Sequence, residues 1–314
     1  MSGCRPGAQR ERLTRPAKRR SFWANAISHS GDVTTEHLAL DGGTLAYEVA
    51  GIGPLVALAH GMGDSRAAYR FVAPRLVAAG YRVASLDLRG CGASSADWPA
   101  YSRTDIAGDL RALERHLGGP AVLVGHSISG GSVTIAAAQA PELVAGVVEL
   151  APFTRRQTMS LRVLRSARYR RGMTRLALTA ALGSVRWWHR YLDVAYPGAR
   201  PADWADQLER NAAELHTPGH MRALQRMGGS SPADAGAHLA RIRCRALVVE
   251  GSLDPDWADP RAEGEAVVAA MPDGLGELAV VEGAGHYPHT QHPDETVALL
   301  LPFLATTLAG RTNA

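Results

Sequence analysis

The stretch Ala121-Val122-Leu123-Val124-Gly125-His126-Ser127-Ile128-Ser129-Gly130-Gly131 decides how this chain is read. Its apolar opening has the character of a short buried strand, and Ile128–Ala140 reads as the helix that follows. Between them stands a serine flanked by small residues. A strand that turns sharply into a helix at such a serine presents the hydroxyl for attack, which is the physical content of the G-x-S-x-G pattern. Ser129 occupies the place of the last glycine in that pattern. It is small enough to fit, although a side chain costs more there than none. A serine hydroxyl is a poor nucleophile at neutral pH, so the reading depends on whether the chain also supplies a base and a carboxylate.

Strand and helix alternate on both sides of this turn. Leu55–Ala59 is an apolar run ending at His60-Gly61, and Arg66–Ala79 has helical spacing, with Tyr69, Val72, Leu76 and Val77 on one stripe. Arg82–Asp87 reads as a strand, Thr104–Leu117 as a helix and Ala145–Leu150 as a strand. Later, Arg245–Glu250, Pro260–Met271, Glu277–Val281 and Pro293–Leu308 repeat strand, helix, strand, helix. This order predicts an α/β fold, a mostly parallel central sheet with helices on both faces. At the N-terminal side, Glu36–Leu40 and Thr44–Val49 around Asp41-Gly42-Gly43 predict a hairpin. Residues 155–240 break the alternation, with helical spacing in Leu161–Leu164, Met173–Leu182, Trp187–Leu192, Pro201–Leu215 and His220–Met227. An all-helical insertion between two strands predicts a cap. The expected organisation is a leader over 1–32, a core over 33–154 and 241–314, and a helical cap over 155–240.

Composition narrows the function classes. The chain has 314 residues, 46% of them hydrophobic and 20% charged, enough for a large core. No run approaches the roughly 18 apolar residues of a membrane span. Cys4, Cys91 and Cys244 are too scattered for a disulfide framework or a metal cluster. The net charge is +4, yet residues 1–20 hold seven basic residues against the single acid Glu11, so the body is close to neutral. The basicity therefore reads as a solvated, disordered leader and not as a nucleic-acid surface. Arg19-Arg20 is followed by too little apolar sequence for an export signal, and the expected location is the cytoplasm.

Four pieces line up at the ends of expected strands: Ser127, His60-Gly61-Met62-Gly63, Asp254 and His286. The base that activates a serine needs a carboxylate to set its tautomer and stabilise the imidazolium. The order Ser127, Asp254, His286 is that of the α/β-hydrolase fold, and over residues 33–309 the chain resembles that superfamily. Asp87-Leu88-Arg89-Gly90-Cys91-Gly92-Ala93-Ser94 and Gly285-His286-Tyr287-Pro288-His289 support the resemblance. The stretch Asp254-Pro255-Asp256-Trp257-Ala258-Asp259-Pro260 is similar to a bacterial subgroup of unassigned substrate. The resemblance implies a catalytic set of Ser127, Asp254 and His286, with the backbone N–H groups of Met62 and Ile128 as oxyanion hole. It implies no cofactor and no metal. Epoxide hydrolases and haloalkane dehalogenases resemble the chain too, but carry aspartate where Ser127 stands.

Rival readings accompany these residues. Asp256 lies two residues from Asp254 and is expected to cap or shape the loop. Glu149 sits inside an apolar strand and is expected to find a buried partner. His60 reads as a residue that shapes its loop, and His126, His289 and His292 as structural. Trp187, Trp188 and Tyr191 either wall an apolar substrate pocket or anchor the cap to the core. From Arg155 to Arg175 there are eight arginines and no acid, which reads as a solvated face before it reads as an anion site. The expected activity is cleavage of a carboxylic ester, lactone or thioester (the carboxylesterase class, EC 3.1.1). The expected partner is a small, partly apolar molecule, without nucleic acid, and the oligomeric state is left open. A carbon–carbon bond hydrolase, a perhydrolase or a slow-turnover ligand sensor of the same fold are the alternatives.

Overall fold

The computed structural model describes residues 33–156 and 165–309. The leader over 1–32, the spacing at Leu161–Leu164 and Arg162 lie outside them. Eight strands form one sheet in the order β1-β2-β4-β3-β5-β6-β7-β8. They are β1 (Glu36–Leu40), β2 (Gly43–Ala50), β3 (Leu55–Ala59), β4 (Arg82–Leu86), β5 (Ala121–His126), β6 (Val144–Leu150), β7 (Arg245–Gly251) and β8 (Gly276–Val281). The expected hairpin is β1 and β2, paired antiparallel with Leu40 opposite Gly43, and β2 also runs antiparallel to β4. From β4 onward every pairing is parallel.

Every residue of β3, β5 and β6 is buried, which is why these strands read as continuous apolar runs: helices cover both faces. Strand periodicity divides each run between two cores. Leu55, Ala57, Ala59, Ala121 and Leu123 point into one, with α2 (Arg103–Leu117) and α3 (Ile128–Gln139). Val56, Leu58, Val122 and Val124 point into the other, with α1 (Ala73–Ala78) and the helix Pro293–Leu308.

The helix expected over Arg66–Ala79 is two pieces. A 3-10 turn covers Arg66–Tyr69, and α1 starts only at Ala73. Pro74 explains the break: it has no N–H to bond back into the preceding turn, and it suits the first turn of a new helix.

Between β6 and β7 the described elements are all helical, over Ala167–Leu182, Val185–Ala195, Trp204–Leu215, His220–Gly228 and Ala233–Gly236, with a 3-10 turn at Leu239–Arg241. Four of these helices carry the burial pattern of an amphipathic element and close a third core around Trp188, Tyr191, Leu192, Tyr196, Leu215 and Leu224. Tyr287, from the loop after β8, completes it and stacks on Tyr196 at 4.6 Å. Polar ties fix this segment to the stretch that follows β3. Arg70 donates to both oxygens of Asp203 at 2.7 Å and to Gln207 at 2.8 Å, and Asn211 Nδ2 donates to the Gly63 carbonyl at 2.5 Å.

Candidate active site

Ser127 is the single residue between β5 and α3, with φ 55° and ψ −116°. Only Ser127 and Ala151 have positive φ among the described non-glycine residues. Such a conformation costs on the order of 1–3 kcal/mol and persists where the surroundings impose it. Here three backbone bonds impose it. The Ser127 N–H donates to the Leu150 carbonyl at 2.9 Å, and its own carbonyl accepts from Gly130 at 3.0 Å and Phe153 at 3.1 Å. The glycine requirement falls on Gly125, where a Cβ would lie 2.2 Å from the Ser129 carbonyl oxygen, and on Gly130, where it would lie 2.7 Å from Pro152 Cβ. Position 129 carries a tie: Ser129 Oγ donates to the His60 carbonyl at 2.6 Å. The departure from the motif thus links the elbow to the loop after β3. Gly125→Ala is expected to cost about 1–3 kcal/mol through overpacking, read as a lowered thermal midpoint by circular dichroism. An unchanged midpoint would contradict the close approach of Gly125 to Ser129.

The loop at residues 60–63 lies against this elbow. A Cβ on Gly61 would come within 2.6 Å of His126 Nδ1 and 3.2 Å of Ser127 Cβ. His60 shapes the loop from below. Its Nε2 accepts from the Leu88 N–H at 3.0 Å, so Nδ1 carries the proton and donates to the Gly61 carbonyl at 2.7 Å. Burial holds its pKa below the ordinary histidine value. Among the described residues, neither the Met62 N–H nor the Ile128 N–H donates to a protein acceptor. Ile128 opens α3, where the first amides of a helix lack intrahelical partners.

His286 follows β8 and is buried against aromatic rings: His126 at 4.9 Å, Phe153 at 6.3 Å and Tyr191 at 6.4 Å between centroids. Its Nδ1 lies 2.7 Å from Asp254 Oδ2. Its backbone is held at both ends, the N–H donating to Ala195 at 2.9 Å and the carbonyl accepting from His126 Nε2 at 2.7 Å. Ser127 and His286 share His126 and Phe153 as neighbours, since Phe153 bonds the Ser127 carbonyl with its N–H.

Asp256, expected to cap or shape its loop, also turns its carboxyl toward His286 and Tyr191. Its Oδ2 is 3.5 Å from His286 Nδ1 and accepts from the Tyr191 hydroxyl at 2.8 Å, while its N–H donates to Asp254 Oδ1 at 2.8 Å. The imidazole therefore faces two carboxyl groups. Burial presses the His286 pKa down, but Asp254 and Asp256 together outweigh it and carry it up to about 9. Burial raises the Asp256 carboxyl to about 7, helped by Asp254 and opposed by His286 and Tyr191. The ligand atoms of Asp254, Asp256 and His286 lie within 4.8 Å of one another, a spacing that could hold a cation. Nδ1 and Oδ2 are already engaged in hydrogen bonds there.

A cavity of about 520 Å³ opens on Ser127. Met62, Ser127, Ile128 and Phe153 line it from the core, and Met173, Leu176, Ala177 and Ala180 from the helix Ala167–Leu182. Trp187, Trp188 and Tyr191 are not among its lining residues. Trp188 and Tyr191 are buried and stacked at 5.1 Å, and Gly63 packs against Trp188. Trp187 carries the Arg190 guanidinium at 5.0 Å over its ring. The contacts of Trp188 with Gly63 and of Tyr191 with Asp256 join the helix Val185–Ala195 to loops of the core, while Trp187 meets Arg190 of its own helix. An aromatic stripe at helical spacing looks the same in sequence whichever surface it meets.

Glu149 finds Thr134, which donates to it, and burial raises its carboxyl to about 8. His289 is buried and stacked on Tyr69 at 5.0 Å, and His292 lies 3.4 Å from Glu295.

The sequence model of the Alpha/beta hydrolase family matches residues 56–299. A 2-(acetamidomethylene)succinate hydrolase of Mesorhizobium japonicum is 26% identical over 285 residues, covering 88% of this chain and 98% of that protein. Epoxide hydrolase B of Mycobacterium tuberculosis is 36% identical over a shorter stretch of 113 residues, 35% of this chain and 32% of that protein. Among solved structures, a carboxylesterase from Bacillus subtilis superposes with a TM-score of 0.72 at 20% identity, covering 91% of this chain and 94% of that one.

Proposed function

This chain belongs to the α/β-hydrolase family, and within it we propose a cofactor-independent serine hydrolase that cleaves a carboxylic ester, lactone or thioester. The observation that carries the reading is Ser127, held in a strained turn at the wall of a cavity and sharing the neighbours His126 and Phe153 with His286, a buried histidine bonded to Asp254 at 2.7 Å. Ser127 Oγ attacks the carbonyl carbon, and His286 takes its proton through the nitrogen not bonded to Asp254. The oxyanion rests on the Met62 and Ile128 N–H groups, where one donor typically supplies about 3 kcal/mol of transition-state stabilisation. His286 protonates the leaving group, and water then releases the acyl group by the same steps in reverse. The described helices between β6 and β7 act as the cap that closes the cavity. Epoxide hydrolases of the superfamily place an aspartate at the nucleophile, and serine here argues against that chemistry.

A fluorophosphonate probe tests the reading. One equivalent is expected to add covalently, with peptide mass spectrometry placing the adduct on Ser127, and short 4-nitrophenyl esters are expected to be hydrolysed. Failure of both would overturn the assignment. Labelling with turnover of a vinylogous diketone in place of esters would move it to carbon–carbon bond hydrolysis. Labelling with barely measurable turnover and a ligand-dependent change in cap protection would move it to ligand sensing.

A further inference from the structure

Arg103 differs from the other buried arginine, Arg89, and from the half-buried Arg66 and Arg70. Arg89 bonds Asp109 through two nitrogens at 2.7 Å, and Arg66 and Arg70 likewise face carboxylates. Arg103 is only 5% exposed, yet among the described residues no carboxylate lies within 4.0 Å of it. Its hydrogen bonds go to neutral oxygens: Nε to the Phe153 carbonyl at 2.8 Å, and Nη1 to the Ser230 hydroxyl at 3.0 Å and carbonyl at 3.3 Å. A buried cation with no carboxylate in direct contact is costly, and Asp234 offsets that cost only from beyond salt-bridge distance. Burial lowers its pKa only to about 10, with Asp234 opposing the shift, so it stays charged at neutral pH.

Arg103 lines the cavity that opens on Ser127, and Arg155 and Arg156 line it too. The partners of those two are weak. Arg155 is 4.0 Å from Glu263, and Arg156 donates to Ser231 Oγ at 3.3 Å. Arg103 is tied to the nucleophile's surroundings. A Cβ on Gly131 would touch its Cδ at 2.8 Å, and the Phe153 carbonyl that it bonds belongs to the residue whose N–H holds Ser127. Apart from Ser127 and Ser230, the rest of the wall is apolar, chiefly Met62, Met173, Leu176 and Met227.

From this we infer that the cavity selects an acyl substrate bearing a second, free carboxylate, bound by Arg103 with Arg155 and Arg156 while the scissile carbonyl sits at Ser127. The inference rests on Ser127 as nucleophile. The substrate class is the half-ester of a dicarboxylic acid, or a lactone or thioester equivalent. Water adds to the acyl carbon as the alcohol or thiol departs, and the product is a dicarboxylate with Ser127 restored. A guanidinium pairs with a carboxylate through parallel N–H donors, which gives orientation as well as attraction. The chain pattern from Arg155 to Arg175 is thus split: Arg155 and Arg156 face the cavity, while Arg170 and Arg171 lie on another surface.

The test compares mono-4-nitrophenyl glutarate with 4-nitrophenyl pentanoate, an ester of equal chain length without the charge. The charged ester is expected to have at least about a tenfold higher kcat/KM, and Arg103→Gln to lower the ratio between the two by at least about tenfold. The double variant Arg155→Gln/Arg156→Gln is expected to lower it in the same direction, and it keeps the test alive if Arg103→Gln does not fold. A ratio near one in the parent protein, or unmoved by a folded variant, overturns the inference while leaving the serine hydrolase intact. If Ser127 takes no fluorophosphonate and no ester is cleaved, the serine hydrolase reading is the one that fails. Titration calorimetry of glutarate into the Ser127→Ala protein then decides the anion site separately. Binding that the arginine variants lose supports it, and no binding overturns it.

Discussion

Ser127→Ala is expected to lower kcat for any ester the protein turns over by at least about ten-thousand-fold. In the proposed mechanism the histidine and the oxyanion donors act through this hydroxyl, which is why removing it is expected to have so large an effect. Without Oγ no acyl-enzyme forms, and only positioning and oxyanion stabilisation of a direct water attack remain. The fold is expected to tolerate the change. Alanine keeps the Cβ, and the bonds that impose the turn at Leu150, Gly130 and Phe153 are made by the Ser127 backbone. Steady-state hydrolysis of a 4-nitrophenyl ester beside a circular-dichroism melt separates the two effects. Turnover within tenfold of the parent protein, with the melt unchanged, would remove Ser127 from the mechanism.

The elbow could be read from sequence because its constraints are local. A short apolar run, a small-residue turn and a helix are neighbours in the chain, and the strand periodicity that buries Val122 and Val124 on one face and Leu123 on the other shows as an unbroken apolar string. The hairpin was legible for the same reason, with Gly42-Gly43 marking its turn. Features set by contacts far along the chain were not. Arg103 follows an ordinary helix cap at Ser102, and nothing near it says that its guanidinium reaches Ser230, 127 residues away. The Asp256 carboxyl meets partners far along the chain, Tyr191, 65 residues distant, and His286. The spacing Asp254-Pro255-Asp256 was the available signal, since a tight turn can aim both carboxyls at one partner. Ser129 was readable as small but not as a donor, because its acceptor belongs to the loop after β3.

The two carboxyls on His286 are expected to separate sharply on substitution. Asp254→Asn is expected to lower kcat by roughly a thousand- to ten-thousand-fold, and Asp256→Asn by less than about tenfold. Asp254 is the closer partner of Nδ1, at 2.7 Å against 3.5 Å for Asp256. An asparagine amide at 254 can turn its NH₂ toward Nδ1, which moves the ring proton to the nitrogen that must accept from Ser127. At 256 the acceptor role toward Tyr191 survives in asparagine, and only charge is lost. That charge has its own signature. In the proposed mechanism His286 acts as a base only when neutral, so kcat/KM is expected to climb with pH and level off above its pKa. Burial lowers that pKa and the two carboxylates outweigh the effect, carrying it up to about 9. Removing the Asp256 charge leaves burial opposed by Asp254 alone, so the midpoint of the profile is expected to move toward acid. Equal losses in the two variants would mean that the carboxyls share the orienting role. A midpoint that stays in place in Asp256→Asn would mean that its carboxyl is already neutral when His286 titrates.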